Sequence, residues 1–194
     1  MAIGRRIHGR LDPCLCTAKP LTPMADLTHQ LGTKPFSMPL LRMAIASLIA
    51  FGLDRLSKIV IVHWLDLASL HRIPVWPPYL NFAMAWNKGV NFGFLGAFDV
   101  RWLLVAISVV VSLALALWIR DKSGWIVPLG AGAIVGGALG NAYDRVVYGA
   151  VADYLNMSCC AINNPYSFNV ADVWIFGGAI VLIWSREVEA RRGK

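Results

Sequence analysis

Apolar residues along this chain fall into four long blocks separated by shorter polar or basic segments. The first covers residues 39–62 and carries Arg42, Asp54, Arg55 and Lys58. The second, residues 102–119, is charge-free, and so is the start of the third, from Ser123 to Tyr143. The fourth, residues 168–185, is interrupted only by Asp172. A helix needs about 20 mostly apolar residues to cross a bilayer. The pattern therefore predicts four transmembrane helices, at about residues 39–62, 102–119, 123–147 and 168–185. The segment at about 63–100 has a different period. Leu80, Phe82, Met84 and Trp86 alternate with Asn81, Ala83, Ala85 and Asn87, as in a strand with one apolar face. Asn87-Lys88-Gly89 reads as a turn and Val90-Asn91-Phe92-Gly93 as a returning strand. The expected fold is an all-α membrane protein of four transmembrane helices with a small outer-face β-cradle at about 63–100.

Composition supports a bilayer as solvent. Hydrophobic residues make up 57% of the 194-residue chain and charged residues only 15%, and mean hydropathy is +0.58. This excludes a disordered chain, which would be apolar-poor. The net charge of +7 is distributed as a topology signal. Arg5, Arg6, Arg10, Lys19 and Lys34 precede the first block, Arg120 and Lys122 link the second to the third, and Arg186, Arg191, Arg192 and Lys194 follow the fourth. Only Arg72, Lys88, Arg101 and Arg145 fall on the opposite side. Both termini are therefore expected in the cytoplasm. Basic residues that flank spans do not form a nucleic-acid patch, so no nucleic-acid partner is expected. Residues 1–37, with Pro13, Pro20, Pro23 and Pro35, read as a flexible cytoplasmic extension, and residues 187–194 as a basic tail. No apolar core precedes residue 39, so the first span is expected to act as an uncleaved insertion signal. Cys14 and Cys16 lie on the opposite side of the membrane from Cys159 and Cys160 in this topology, so the four cannot share one zinc site.

Ionisable residues in or beside spans are functional candidates by default. Asp54 and Lys58 stand four apart on the first span and are expected to neutralise each other. Gly132, Gly136 and Gly140 line one face of the third span, and Asp144 continues the row. Such rows let helices approach closely in lipid. Asp153 follows the third span. Asp172 opens the fourth, with Asn169 three residues earlier on the same face. A fold-back between them would bring both carboxylates together near the outer boundary. Two close carboxylates in low dielectric share a proton, and such a pair can activate water against a peptide carbonyl. A buried ion pair, or a proton or cation path in a small transporter, also fits the spacing. His-Glu-x-x-His, Gly-x-Ser-x-Gly and phosphate-loop motifs are absent from the chain.

Five motifs in order resemble those of the lipoprotein signal peptidase family, also called signal peptidase II. They are Asp54-Arg55-Leu56-Ser57-Lys58, Asn87 to Gly93, Gly136 to Arg145, Val151-Ala152-Asp153-Tyr154, and Phe168-Asn169-Val170-Ala171-Asp172. The resemblance spans residues 39–186. It implies an intramembrane aspartic endopeptidase of the bacterial cytoplasmic membrane, with its site toward the outer face. The implied substrates are diacylglyceryl-modified prolipoproteins, cut just before the lipidated cysteine among membrane lipids. It implies Asp153 and Asp172 as the catalytic pair. Asn87, Gly89, Asn141, Arg145 and Asn169 match substrate-binding or site-ordering positions, and Asp54, Lys58 and Asp144 match supporting ones. Neither metal nor cofactor is implied, and a monomer is the simplest expectation. Three positions depart from the family pattern. Arg55 stands for a usual glutamine, Val90-Asn91 for Ala-Ala, and Tyr154 for phenylalanine.

Overall fold

A computed structural model describes residues 37–89, 100–122, 124–159 and 164–192. The extension before residue 37, the expected return strand Val90–Gly93, and Cys14, Cys16 and Cys160 lie outside these residues. Four long helices correspond to the four apolar blocks. Helix α1 (Met38–Lys58) starts with a proline in its first turn, where no backbone N–H is needed, and passes into a π-helical stretch, Ile59–Trp64. A short helix α2 (Leu67–Leu70) leads to strands β1 (Arg72–Trp76) and β2 (Leu80–Asn87). Helix α3 (Val100–Trp118) and a 3-10 turn precede α4 (Ile126–Tyr148), which stops at Gly149 with φ 78°. Glycine adopts that left-handed conformation without Cβ strain. Strand β3 (Val151–Met157) and helix α5 (Val170–Arg192) complete the described chain.

Helix α4 is central and packs on α1, α3 and α5. Its glycines set the approach. A Cβ on Gly132 would stand 2.5 Å from the Met43 carbonyl oxygen, and one on Gly136 would strike the Ser47 carbonyl of α1. On the other face, a Cβ on Gly137 would strike the Ala171 carbonyl of α5, while Gly178 packs on the Gly130 carbonyl. The paired positions rise together along α1 and α4 but in opposite senses along α4 and α5. Val127 and Ala131 near the start of α4 pack with Leu115, Trp118 and Ile119 at the end of α3. Successive long helices along the chain therefore alternate in direction, with the starts of α1 and α4 beside the ends of α3 and α5.

Among the described residues, two helical segments are long and apolar enough to cross a membrane, Val100–Asp121 and Ile126–Tyr148. Helices α1 and α5 are of similar length but carry charges. Large apolar side chains are nevertheless exposed on all four, including Leu48, Val110, Leu129 and Ile183. So much outward apolar surface suits lipid rather than water. Exposed Trp125 and Trp184 and half-buried Trp118 gather where α3 and α5 end and α4 begins. There the Arg42 guanidinium lies 4.0 Å from the Trp125 ring and Lys122 lies 5.0 Å from Trp118. Trp64, Trp76, Trp86 and Trp102 belong to the other end.

The sheet is antiparallel with order β1-β2-β3. Its third strand comes from beyond α4, not from within the 63–100 segment where the whole cradle was expected. The expected single apolar face of β2 is also broken. Register slips between Phe82, opposite Leu155, and Ala85, opposite Asp153. One extra residue on β2 changes the parity, so the alternation does not run through the strand as one face. Met84 packs beside buried Ala152 and Tyr154, together with Val62 and Leu67.

Closeness of α1 and α4 generates a stability prediction. Gly136→Val should destabilise the folded protein in detergent by about 1–3 kcal/mol or abolish folding. Gly52→Ala, where a Cβ meets nothing within 4 Å, should not lower stability. Thermal unfolding of both variants checks the contrast.

Candidate active site

The two aspartates arrive from different elements. Asp172 lies in the first turn of α5, directly behind Asn169. The Asn169 side-chain carbonyl accepts the Asp172 N–H at 3.0 Å, and the Asp172 carboxylate accepts the Asn169 N–H at 3.2 Å. This reciprocal pair is a capping box, an arrangement that favours helix initiation. Asp153 lies on β3, four positions past the α4 stop at Gly149. Phe168 pairs with Leu155 through two backbone hydrogen bonds of 2.8 and 3.0 Å, which lays the approach to α5 along β3. Asn169 is thereby brought beside Asp153. The return loop is tied down further by Asn156, which donates to the carbonyls of Asn164 and Tyr166.

Each carboxylate oxygen of the pair has a neutral donor. Asp153 accepts from Asn169 Nδ2 at 2.6 Å and from Asn87 Nδ2 at 3.1 Å. Asp172 accepts from Asn141 Nδ2 at 2.9 Å and from the Asn169 N–H. Asn169 also donates to Asn141 Oδ1 at 3.1 Å. Asn87 is itself oriented by the Gly89 N–H, which donates to its Oδ1 at 2.9 Å. Gly89 takes φ 87°, closing the turn expected at Asn87-Lys88-Gly89. The Arg145 guanidinium donates to the Asn141 carbonyl at 3.2 Å and lies within electrostatic reach of Asp153, Asp172 and Asp144.

Asp153 and Asn169 are buried, Asp172 and Arg145 are half-buried, and Asn87 is exposed. The pair is thus open on the Asp172 side. Burial pushes the Asp153 carboxyl up to about 6, opposed by donation from Asn87, with Asp172 adding to the rise. Burial and charge coupling act here in the same direction.

Beneath the pair lies a second constellation. Asp54 and Asp144 are fully buried, and Lys58 is nearly so. Lys58 Nζ stands 2.9 Å from Asp54 and 2.6 Å from Asp144. Arg55 contacts the same two carboxylates at 2.8 and 2.6 Å. The expected neutralisation of Asp54 by Lys58 is therefore present, but it belongs to a four-charge cluster. The glycine row ends on it, because the space a Cβ on Gly140 would need holds the Asp54 carboxylate, 2.7 Å away.

All ten residues singled out from the sequence fall in one of these two linked networks. Arg55 stood out in the sequence only as a departure from the family pattern, yet its long side chain reaches both carboxylates. The Ser57–Tyr154 contact, 2.6 Å between hydroxyl oxygens, joins α1 to β3 and left no signal in the sequence. Burial keeps the Tyr154 phenol protonated, its pKa raised to about 12.

A family model described as Signal peptidase (SPase) II, Peptidase_A8, matches residues 46–186. The lipoprotein signal peptidase of Methylorubrum extorquens is 38% identical over 145 residues, covering 72% of this chain and 81% of that protein. That of Caulobacter vibrioides is 36% identical over 133 residues, covering 68% and 77% respectively. In fold, the chain is similar to a bacterial membrane enzyme solved by the in meso method. The TM-score is 0.62 at 21% identity, over 78% of this chain and 91% of the other.

The hydrogen bonds to Asp153 predict the sign of a titration change. Asn87 donates to the ionised carboxylate and so opposes the effect of burial. In Asn87→Ala, Asp153 should titrate above its value of about 6. Carboxyl-selective carbon NMR across pH 4–8 is the check. A downward shift, or none, would remove Asn87 as the opposing group.

Proposed function

The chain belongs to the signal peptidase II family, and from that membership we propose that it is an intramembrane aspartic endopeptidase acting on diacylglyceryl-modified prolipoproteins. Cleavage falls just before the lipidated cysteine and frees the signal peptide. The observation that carries this reading is the pairing of Asp153 and Asp172 through Asn169, with amide donors on all four oxygens. Amides fix the carboxylates in place without cancelling their charge. The two acids therefore remain coupled and share a proton.

In the proposed reaction a water sits between the carboxylates. Asp153, whose burial disfavours its anion, carries the shared proton and donates it to the scissile carbonyl oxygen. Asp172, in the first turn of α5 where the helix dipole favours negative charge, takes a proton from the attacking water. The tetrahedral gem-diol then collapses: the proton held by Asp172 passes to the leaving amine of the lipidated cysteine as the C–N bond breaks, and one gem-diol hydroxyl returns its proton to Asp153, which restores the starting pair. A bound substrate excludes bulk water and pushes Asp153 further up, which keeps the proton in place during the chemistry. Arg145 and Asn141 face the open side of the pair and serve substrate positioning, as do Asn87 and Gly89 at the rim. Asp54, Lys58 and Asp144 support the site from below.

The same reading places four spans in the bacterial cytoplasmic membrane, α1, α3, α4 and α5. Alternation of helix direction puts the start of α1 and the end of α5 on one side. The excess of lysine and arginine makes that side cytoplasmic. The aspartates and the sheet then face outward, at a depth reached by both water and the lipid-held cysteine. Residues 38–186 form the peptidase unit, residues 1–37 a cytoplasmic extension and residues 187–194 a basic tail. The enzyme works as a monomer and, on this mechanism, needs no metal or cofactor.

Asp153→Asn and Asp172→Asn should each lower cleavage of a lipidated prolipoprotein at least about 100-fold while the protein remains inserted and folded. An unlipidated control substrate should not be cut. The measurement is a gel-shift assay in detergent with purified wild type and variants. Turnover retained by both variants would dismiss the aspartate pair. Wild-type activity should survive strong chelation, and loss restored by zinc would contradict the mechanism.

A further inference from the structure

Asp54 and Asp144 each have one further contact, and the two are parallel. Asp54 Oδ1 accepts the backbone N–H of Ala171 at 3.0 Å. Asp144 Oδ2 accepts the backbone N–H of Ala152 at 3.2 Å. Ala171 immediately precedes Asp172, and Ala152 immediately precedes Asp153. Each buried carboxylate thus holds the backbone N–H of the residue just before one member of the pair. Among the described residues, the two carboxylates are joined to each other only through cations, Lys58 and Arg55.

We propose that Arg55 is a positioning residue that aligns Asp153 and Asp172 by locking the Asp54 and Asp144 carboxylates onto the Ala171 and Ala152 amides. The proposal rests on the reading of Asp153 and Asp172 as the reacting pair. Its physical basis is charge balance in a dry volume. Two fully buried carboxylates facing one ammonium leave an uncompensated negative charge, which is costly to bury. Arg55 closes the balance at two against two. Its guanidinium suits the task because it is planar, weakly hydrated and able to serve two acceptors. Here it also lies 4.7 Å from the centre of the Tyr143 ring, so its apolar face is covered while its edge reaches the carboxylates. With arginine rather than glutamine at this position, the clamp carries its own counter-charge.

The test uses the full chain in detergent, with Arg55→Met to remove donor and charge and Arg55→Gln to keep a donor without charge. Two readouts are taken. The first is kcat and KM on the lipidated substrate. The second is hydrogen–deuterium exchange of the β3 segment and the first turn of α5, which contain the Ala152 and Ala171 amides. In Arg55→Met, kcat should fall at least about tenfold, with KM changed less than about twofold. Exchange should speed up in those two segments and stay unchanged in α3, whereas simple destabilisation would loosen every element. Arg55→Gln, which keeps a donor without the charge, should recover only part of the slow exchange and part of kcat. If Arg55→Met does not fold, Arg55→Gln is compared with wild type, and a lowered kcat with raised exchange at the two amides is required. Unchanged kcat with unchanged exchange in a folded variant would overturn the proposal and leave the peptidase reading intact. Failure of wild type to cleave would overturn the peptidase reading, and exchange would still decide whether Arg55 holds the two amides.

Discussion

Burial of charge is the constraint on which this structure depends. Asp54 and Asp144 are inaccessible to water, and ionised carboxylates in such surroundings need cations and donors at short range. Lys58 and Arg55 supply the cations, and the Ala152 and Ala171 amides supply donors. The cluster therefore joins α1, α4, β3 and α5 at one point. Removing one member leaves the others both unpaired and buried, so the four elements are held together as a unit.

That cluster can form only if α1 and α4 come close. Gly132, Gly136 and Gly140 allow the approach, and each faces backbone or carboxylate atoms of α1 where a side chain would otherwise stand. On the opposite face of α4, Gly130 and Gly137 admit α5 equally closely. Close packing on both sides brings Asn141 within reach of Asp172 and Asn169. Small residues in the helix interior and polar residues at its end thus have one purpose. The first sets the distance at which the second can interact.

The upper network differs from the lower in chemistry. Cations neutralise the supporting aspartates directly, whereas asparagine amides and one backbone N–H serve Asp153 and Asp172. A carboxylate held by an ammonium has little tendency to exchange protons near neutral pH. One held by amides and partly buried can do so, and Asp153 at about 6 is poised accordingly. On the proposed mechanism the two networks separate a structural task from a reactive one within a few residues of each other.

Hydrophobic periodicity was enough to place the four long helices, because apolar runs of that length have few other stable forms. Motif order was enough to single out Asp153, Asp172 and the asparagines. The sheet was only partly legible. Strand β2 alternates, but β3 is buried along Val151-Ala152-Asp153-Tyr154 on both faces, so it has no alternation to detect. Its pairing with β2 also joins residues about seventy positions apart. The register slip between Phe82 and Ala85 leaves no mark in the sequence either. The part Arg55 takes in the cluster was not legible, because sequence spacing on a helix tells where a side chain begins, not where a long one ends. Local pattern therefore determined where the long helices lie and which residues stand as candidates for chemistry. Tertiary structure alone decided which carboxylates meet cations and which meet amides, because that choice depends on partners brought from distant parts of the chain.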